Sequence, residues 1–113
     1  MYVKVYEYQI QESKTADFLA YNRLSQALYE KYLPVEMLLL KKEGTDTEWH
    51  ELNAFASKEQ FDSSSPLIET DPSHAELFQR FSDCIVPGTP LTESSYTAAS
   101  GLPLPFRFQQ GEH

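Results

Sequence analysis

Two titratable side chains stand where strand-like patterning would hold them in place, and both are candidate general acids or bases. Glu7 lies between Tyr6 and Tyr8, and His50 lies between Trp49 and Glu51. An imidazole with an ordinary pKa near 6.5 can take or give a proton at neutral pH. The structural alternative for His50 is a half-exposed strand histidine bonded to a cross-strand neighbour. Glu7 alternates with the tyrosines and so shares a face with Val5 and Gln9. If that face meets helices, Glu7 is a partly buried carboxyl with a raised pKa and a base for catalysis; if not, it is solvated. Tyr2, Tyr6 and Tyr8 share the other face, and Tyr21, Tyr29 and Tyr32 follow in the next segment. Such rings, apolar with one polar tip, line a pocket for an aromatic or oxygenated ligand, or fill a core or interface. For the first strand, core or interface is the preferred reading.

Other chemistry is absent from the pattern. There is no nucleophile elbow, no phosphate loop and no dinucleotide fingerprint, and the chain has 4 glycines in all. No histidine pair has metal-ligand spacing, so neither a metal nor a cofactor is expected. His74 opens a helix and is expected at the surface. Cys84 falls on an apolar stripe, which predicts a buried, inert thiol.

Composition narrows the partners. The 113 residues carry 17 acids against 9 bases, a formal charge of −8, which opposes a nucleic-acid or anionic-membrane partner. One cysteine excludes an intramolecular disulfide. Residues 2–10 alternate and include charge, unlike an export signal, and the aliphatic run Met37–Leu40 is far below the ~20 residues that span a bilayer. A cytoplasmic protein is the expectation.

The elements that must hold these residues follow from periodicity. Residues 2–10 read as a strand. Ser13 or Thr15 caps a helix whose stripe is Phe18, Tyr21, Leu24, Leu28 and Tyr32, ended by Pro34. Val35 to Lys42 and Thr47 to Phe55 form a hairpin about Glu43-Gly44-Thr45-Asp46. Ser57 and Gln60 form a capping box for a short helix carrying Phe61. Ser63-Ser64-Ser65-Pro66 interrupts it, and Asp71-Pro72 restarts a helix with Leu77, Phe78, Phe81, Cys84 and Ile85 inward. Leu91 to Ala98 is a last strand. The order βαββαβ, with the second helix broken, is that of an α+β ferredoxin-like fold: a four-stranded antiparallel sheet with its helices on one face. Met37 to Leu40 is apolar on both faces, so the uncovered face calls for a second copy packed sheet to sheet. Residues 1–100 form this domain. Residues 101–113, with Leu102, Leu104, Phe106 and Phe108 on one side and two prolines, read as an extended arm.

In this order of elements the sequence resembles the dimeric α/β-barrel superfamily, which includes antibiotic-biosynthesis-monooxygenase-like, stress-responsive barrel and NIPSNAP-like proteins. Two runs carry the likeness: Asn53-Ala54-Phe55-Ala56-Ser57-Lys58-Glu59-Gln60-Phe61, and Asp71-Pro72 followed by Phe78. The departures bear on chemistry. Monooxygenase-like members place a His one turn after the Ser-acid-Phe run, where this chain has Ser64. They often place Glu and Trp on the preceding strand, where this chain has Asn53 and Phe55. Trp49, His50 and Asn53 are the residue types of a haem-degrading set. On one strand, however, His50 faces away from the other two.

The resemblance implies a homodimer with a cleft between sheet and helices. A gap at the broken helix would make Tyr21, Asn53, Phe55, Phe61 and Ser64 its mouth, with Glu7 as acid or base if it points inward. The expected function is a small binding or structural homodimer with room for a hydrophobic or aromatic ligand. The alternative is a cofactor-independent monooxygenase-like or isomerase-like enzyme acting on an aromatic or polyketide-type substrate.

Overall fold

A computed structural model describes residues 1–99. Strand β1 spans Tyr2–Gln9, helix α1 Thr15–Glu30, β2 Glu36–Lys41 and β3 Glu48–Phe55. Helix α2 spans Lys58–Glu69, α3 His74–Cys84 and β4 Thr92–Thr97. The four strands form one antiparallel sheet in the order β2-β3-β1-β4, the order of a ferredoxin-like fold. The expected arm at 101–113 lies outside the described residues.

Strand parity sets the two sheet faces. Tyr2, Lys4 and Tyr8 of β1 are buried, as are Trp49, Glu51, Asn53 and Phe55 of β3, and the register pairs Tyr8 with Trp49 and Lys4 with Asn53. This is the face the helices cover. Phe18 of α1 lies fully buried with its ring 5.6 Å from Tyr8 and 5.1 Å from Trp49. At the other end Phe55 and Phe61 pack at a tilt, ring centroids 4.8 Å apart, against Tyr2. Each buried ring contributes about 1.5–3 kcal/mol of transfer free energy. Backbone bonds from Gln11 N to Cys84 O (2.8 Å) and Val86 N to Gln9 O (2.9 Å) stitch the end of α3 to the exit of β1.

Four local expectations are corrected. The break in the second helical segment is not at Ser63-Ser64-Ser65-Pro66: α2 runs through Pro66, and the chain turns at Thr70 to Ser73. Proline removes one helical amide, but burial of Ser64 and Ile68 holds both sides of it to the core. Neither Ser13 nor Thr15 caps α1 through its side chain. A 3-10 turn at Glu12–Lys14 leads straight into the helix, and the Thr15 hydroxyl donates back to Glu12 O at 2.8 Å. The expected stripes hold at Phe18, Leu28, Leu77, Phe81 and Cys84 but fail at single members. In α1 the inward arc is Phe18, Asn22, Ser25 and Leu28, while Leu24 is 45% exposed; in α3, Phe78 is 62% exposed. Asp71 and Pro72 do not open α3, which starts at His74 after Ser73; the Asp71 side chain instead braces the turn before the helix, accepting from Ser73 N at 2.9 Å.

Candidate functional site

The inner sheet face and the helices do not close on each other everywhere. A cleft of about 480 Å³ opens between β1, β3 and β4 on one side and α1 and α3 on the other. Tyr6 and Tyr8 of β1 and Glu51 of β3 form its sheet side, with Glu93 from β4. Tyr21, Ser25 and Tyr29 reach it from α1 at helical spacing, the arc that brings serine rather than Leu24 inward. Phe81 and Phe78 come from α3, with Glu69, His74 and Leu91 completing the lining.

Glu51 is the chemical centre of this cleft. It is 9% exposed, and both carboxylate oxygens are held: Oε1 accepts from the Tyr8 hydroxyl at 2.7 Å, and Oε2 from Asn53 Nδ2 at 2.8 Å. A carboxylate has about four acceptor positions, so these bonds fix its plane and leave capacity for a ligand donor. Asn53 is itself 1% exposed, which makes it a rigid support rather than a wall of the cleft.

The surrounding phenols register burial and negative charge. Tyr29 is pushed up to about 12 by burial first, then by Glu51, Glu93 and Glu69. Tyr6, Tyr8 and Tyr21 are held further above the ordinary tyrosine value by burial, with Glu51 adding to each. These hydroxyls are therefore hydrogen-bond donors at any physiological pH. Glu93 is paired with Lys4 Nζ, which also bonds Ser95 Oγ at 3.0 Å.

The residues singled out from sequence divide between several places. Tyr21 lines the cleft, and Asn53 supports its floor. Phe55, Phe61 and Ser64 do not form a mouth. Phe55 and Phe61 pack with Tyr2 in the aromatic core at the far end of the layer, and Ser64 is buried in a helix without a gap. Glu7 does not point inward. It and His50 are register partners on the sheet face away from the helices, with His50 Nε2 3.2 Å from Glu7 Oε1 and both side chains about half exposed, so neither reaches the cleft. Tyr6 and Tyr8 line the cleft on the helix-covered face, Tyr8 as part of the buried core.

Tyr29 was among the rings expected to line a pocket or fill a core, whereas Glu51, Ser25, Phe81 and Glu93 were not anticipated as lining. For Glu51 the signal was present: it shares strand parity with Trp49, Asn53 and Phe55, so an inward Phe55 implies an inward acid. Cys84 is buried in α3 and burial raises its thiol pKa, consistent with an inert side chain. Among the described residues no helix is long and apolar enough to cross a membrane, and no cluster of metal-ligating side chains occurs.

No family model matches the sequence, and no curated protein matches it either. Solved structures do. A mutant form of SnoaB from Streptomyces nogalater, a cofactor-independent oxygenase, superposes with a TM-score of 0.70 at 13% identity, over 90% of this chain and 96% of that one. An uncharacterized NIPSNAP domain protein from Burkholderia xenovorans gives 0.69 at 13% identity, over 91% and 99%. A structure described as an antibiotic biosynthesis monooxygenase gives 0.66 at 10% identity, over 88% and 100%. The chain has the ferredoxin-like fold of these proteins. That is the fold expected from the order of elements; at such identities it carries no activity with it.

Proposed function

We propose that the protein is a small homodimer that binds an aromatic molecule in the cleft between its sheet and helices. The observation that carries this reading is Glu51: a carboxylate buried at the floor of an aromatic-walled space, locked by Tyr8 and Asn53 yet open to the cleft. Small-molecule sites have this form, mostly apolar with a few fixed polar groups, and about 480 Å³ falls within their usual range of roughly 300–1,000 Å³. The rings supply area and the carboxylate supplies orientation. Dimerisation is supported by the sheet face that no helix covers among the described residues, where Val3, Val5, Leu38 and Leu52 lie beside Leu40 and Tyr96, the last two 44% and 56% exposed.

Chemical-shift mapping with a set of small aromatic compounds tests the site. Movement centred on Tyr6, Tyr21, Glu51 and Phe81 is expected. An unmoved cleft in a folded protein, across the whole set, overturns the reading.

A cofactor-independent oxygenase is the second reading, favoured by the same carboxylate and by the fold shared with SnoaB. In it Glu51 accepts the proton of a hydroxylated ring, and the electron-rich anion left behind reduces dioxygen. The negative surroundings of the cleft oppose that anion, which places this reading second. Oxygen uptake with hydroxylated aromatics, abolished in Glu51→Gln, would promote it.

A further inference from the structure

The cleft has a charge as well as a shape, and the charge selects its occupant. Three carboxylates line it, from Glu51, Glu69 and Glu93, and among the described residues no lysine or arginine does. Lys4 offsets Glu93 from the side, while Glu51 is bonded by the neutral donors Tyr8 and Asn53. The walls between these acids are aromatic rings: Phe81 stands 4.9 Å from Tyr8, edge to face, and 5.2 Å from Tyr21. From the combination of fixed carboxylates and aromatic walls we infer that this cleft takes an aromatic molecule bearing a protonated amine, the amine directed to Glu51 and Glu93.

The inference rests on the proposed binding site and adds the class of ligand. An ammonium group gains twice there, by charge-assisted hydrogen bonds to carboxylate and by attraction to ring faces within about 6 Å. A carboxylate or phenolate ligand meets the opposite field. The cleft phenols already report it: Tyr6 and Tyr29 are both raised by Glu51 and Glu93, after burial. The chain's formal charge of −8 acts in the same sense at longer range by attracting cations.

Three probes of equal ring size separate the possibilities by titration calorimetry on the full chain: tyramine, neutral 4-ethylphenol and anionic 4-hydroxyphenylacetate. Tyramine is expected to bind at least about tenfold more tightly than 4-ethylphenol, and 4-hydroxyphenylacetate more weakly than either. Raised salt should narrow the gaps. Glu51→Gln should cut tyramine affinity and leave 4-ethylphenol nearly unchanged. Because Glu51 is buried, Glu69→Gln, altered at an exposed position, provides a second reading and should shift the preference in the same direction. If 4-hydroxyphenylacetate or 4-ethylphenol binds as tightly as tyramine, the charge selection is wrong and the aromatic site stands. If none of the three moves the resonances of Tyr6, Tyr21 or Phe81, both the inference and the site fall.

Discussion

Asn53 supports a buried carboxylate from a position that is itself nearly sealed from solvent. Its Nδ2 donates to Glu51 Oε2 at 2.8 Å, while Tyr8 donates to Oε1. Asn53→Leu keeps the volume and deletes the donor, leaving one side of a buried carboxylate unpaired. A bond to a charged group is worth about 1.5–3 kcal/mol, so urea unfolding should show a loss of that order. Tyr8→Phe should show a similar loss, and the two should be non-additive because they share Glu51. A second residue-scale test concerns Asp71, which accepts from Lys31 Nζ at 2.7 Å, Tyr32 Oη at 2.6 Å and Ser73. The Lys31 bond first, then Tyr32 and Ser73, hold its carboxyl well below the usual range. Because the folded-state value is depressed, the stabilisation is complete above the unfolded value of about 3.9 and is lost as pH falls below it. Asp71→Asn should therefore lower Tm clearly at pH 6 and much less at pH 2.5. An equal loss at both would show that the ionised carboxylate is not what matters.

Helices and strands were legible in order because alternation in β1 and turn chemistry at Gly44, which adopts a φ of 87°, speak directly in the sequence. Their rotations and interruptions were less so. Leu24 and Phe78 are apolar residues at helical spacing, yet both are exposed and Ser25 turns inward, since the arc that meets the sheet is set by where Phe18 and Leu77 anchor. The cleft was hidden for that reason: its α1 wall is a serine and two tyrosines, not the leucine stripe. Pro66 misled in the same way, as local preference against a helix lost to burial on both sides. Its cost should still be measurable. Interior proline disfavours a helix by about 3 kcal/mol, offset by up to about 1 kcal/mol from a stiffer unfolded chain. Pro66→Ala should stabilise the protein by up to about 2 kcal/mol in urea unfolding. A destabilised variant would mean that α2 needs the bend for its packing.

At the scale of the molecule, the described helices cover one sheet face and not the other, and the two faces carry different chemistry. The covered face has Tyr8, Glu51 and Asn53; the open one has Leu38, Leu40 and Leu52 along β2 and β3, beside the Glu7–His50 pair. That the open face is apolar followed from Met37–Leu40 alone, because four consecutive aliphatics put two on each side of a strand. That Glu7 belongs to it did not follow, since alternation fixes which residues share a face but not which face the helices choose. If a second copy covers this surface, the effect of charge placed there should depend on concentration. Leu38→Glu would bury an unpaired carboxylate at the centre of the interface, whereas Leu40→Glu, already 44% exposed in the single chain, is compatible with the isolated fold. Sedimentation at micromolar concentration should give twice the chain mass for the wild type and the chain mass for Leu40→Glu, with a far-ultraviolet circular dichroism spectrum unchanged. A wild-type species of 13.0 kDa at that concentration would rule the dimer out. A Leu40→Glu protein that stays dimeric would move the contact to another surface.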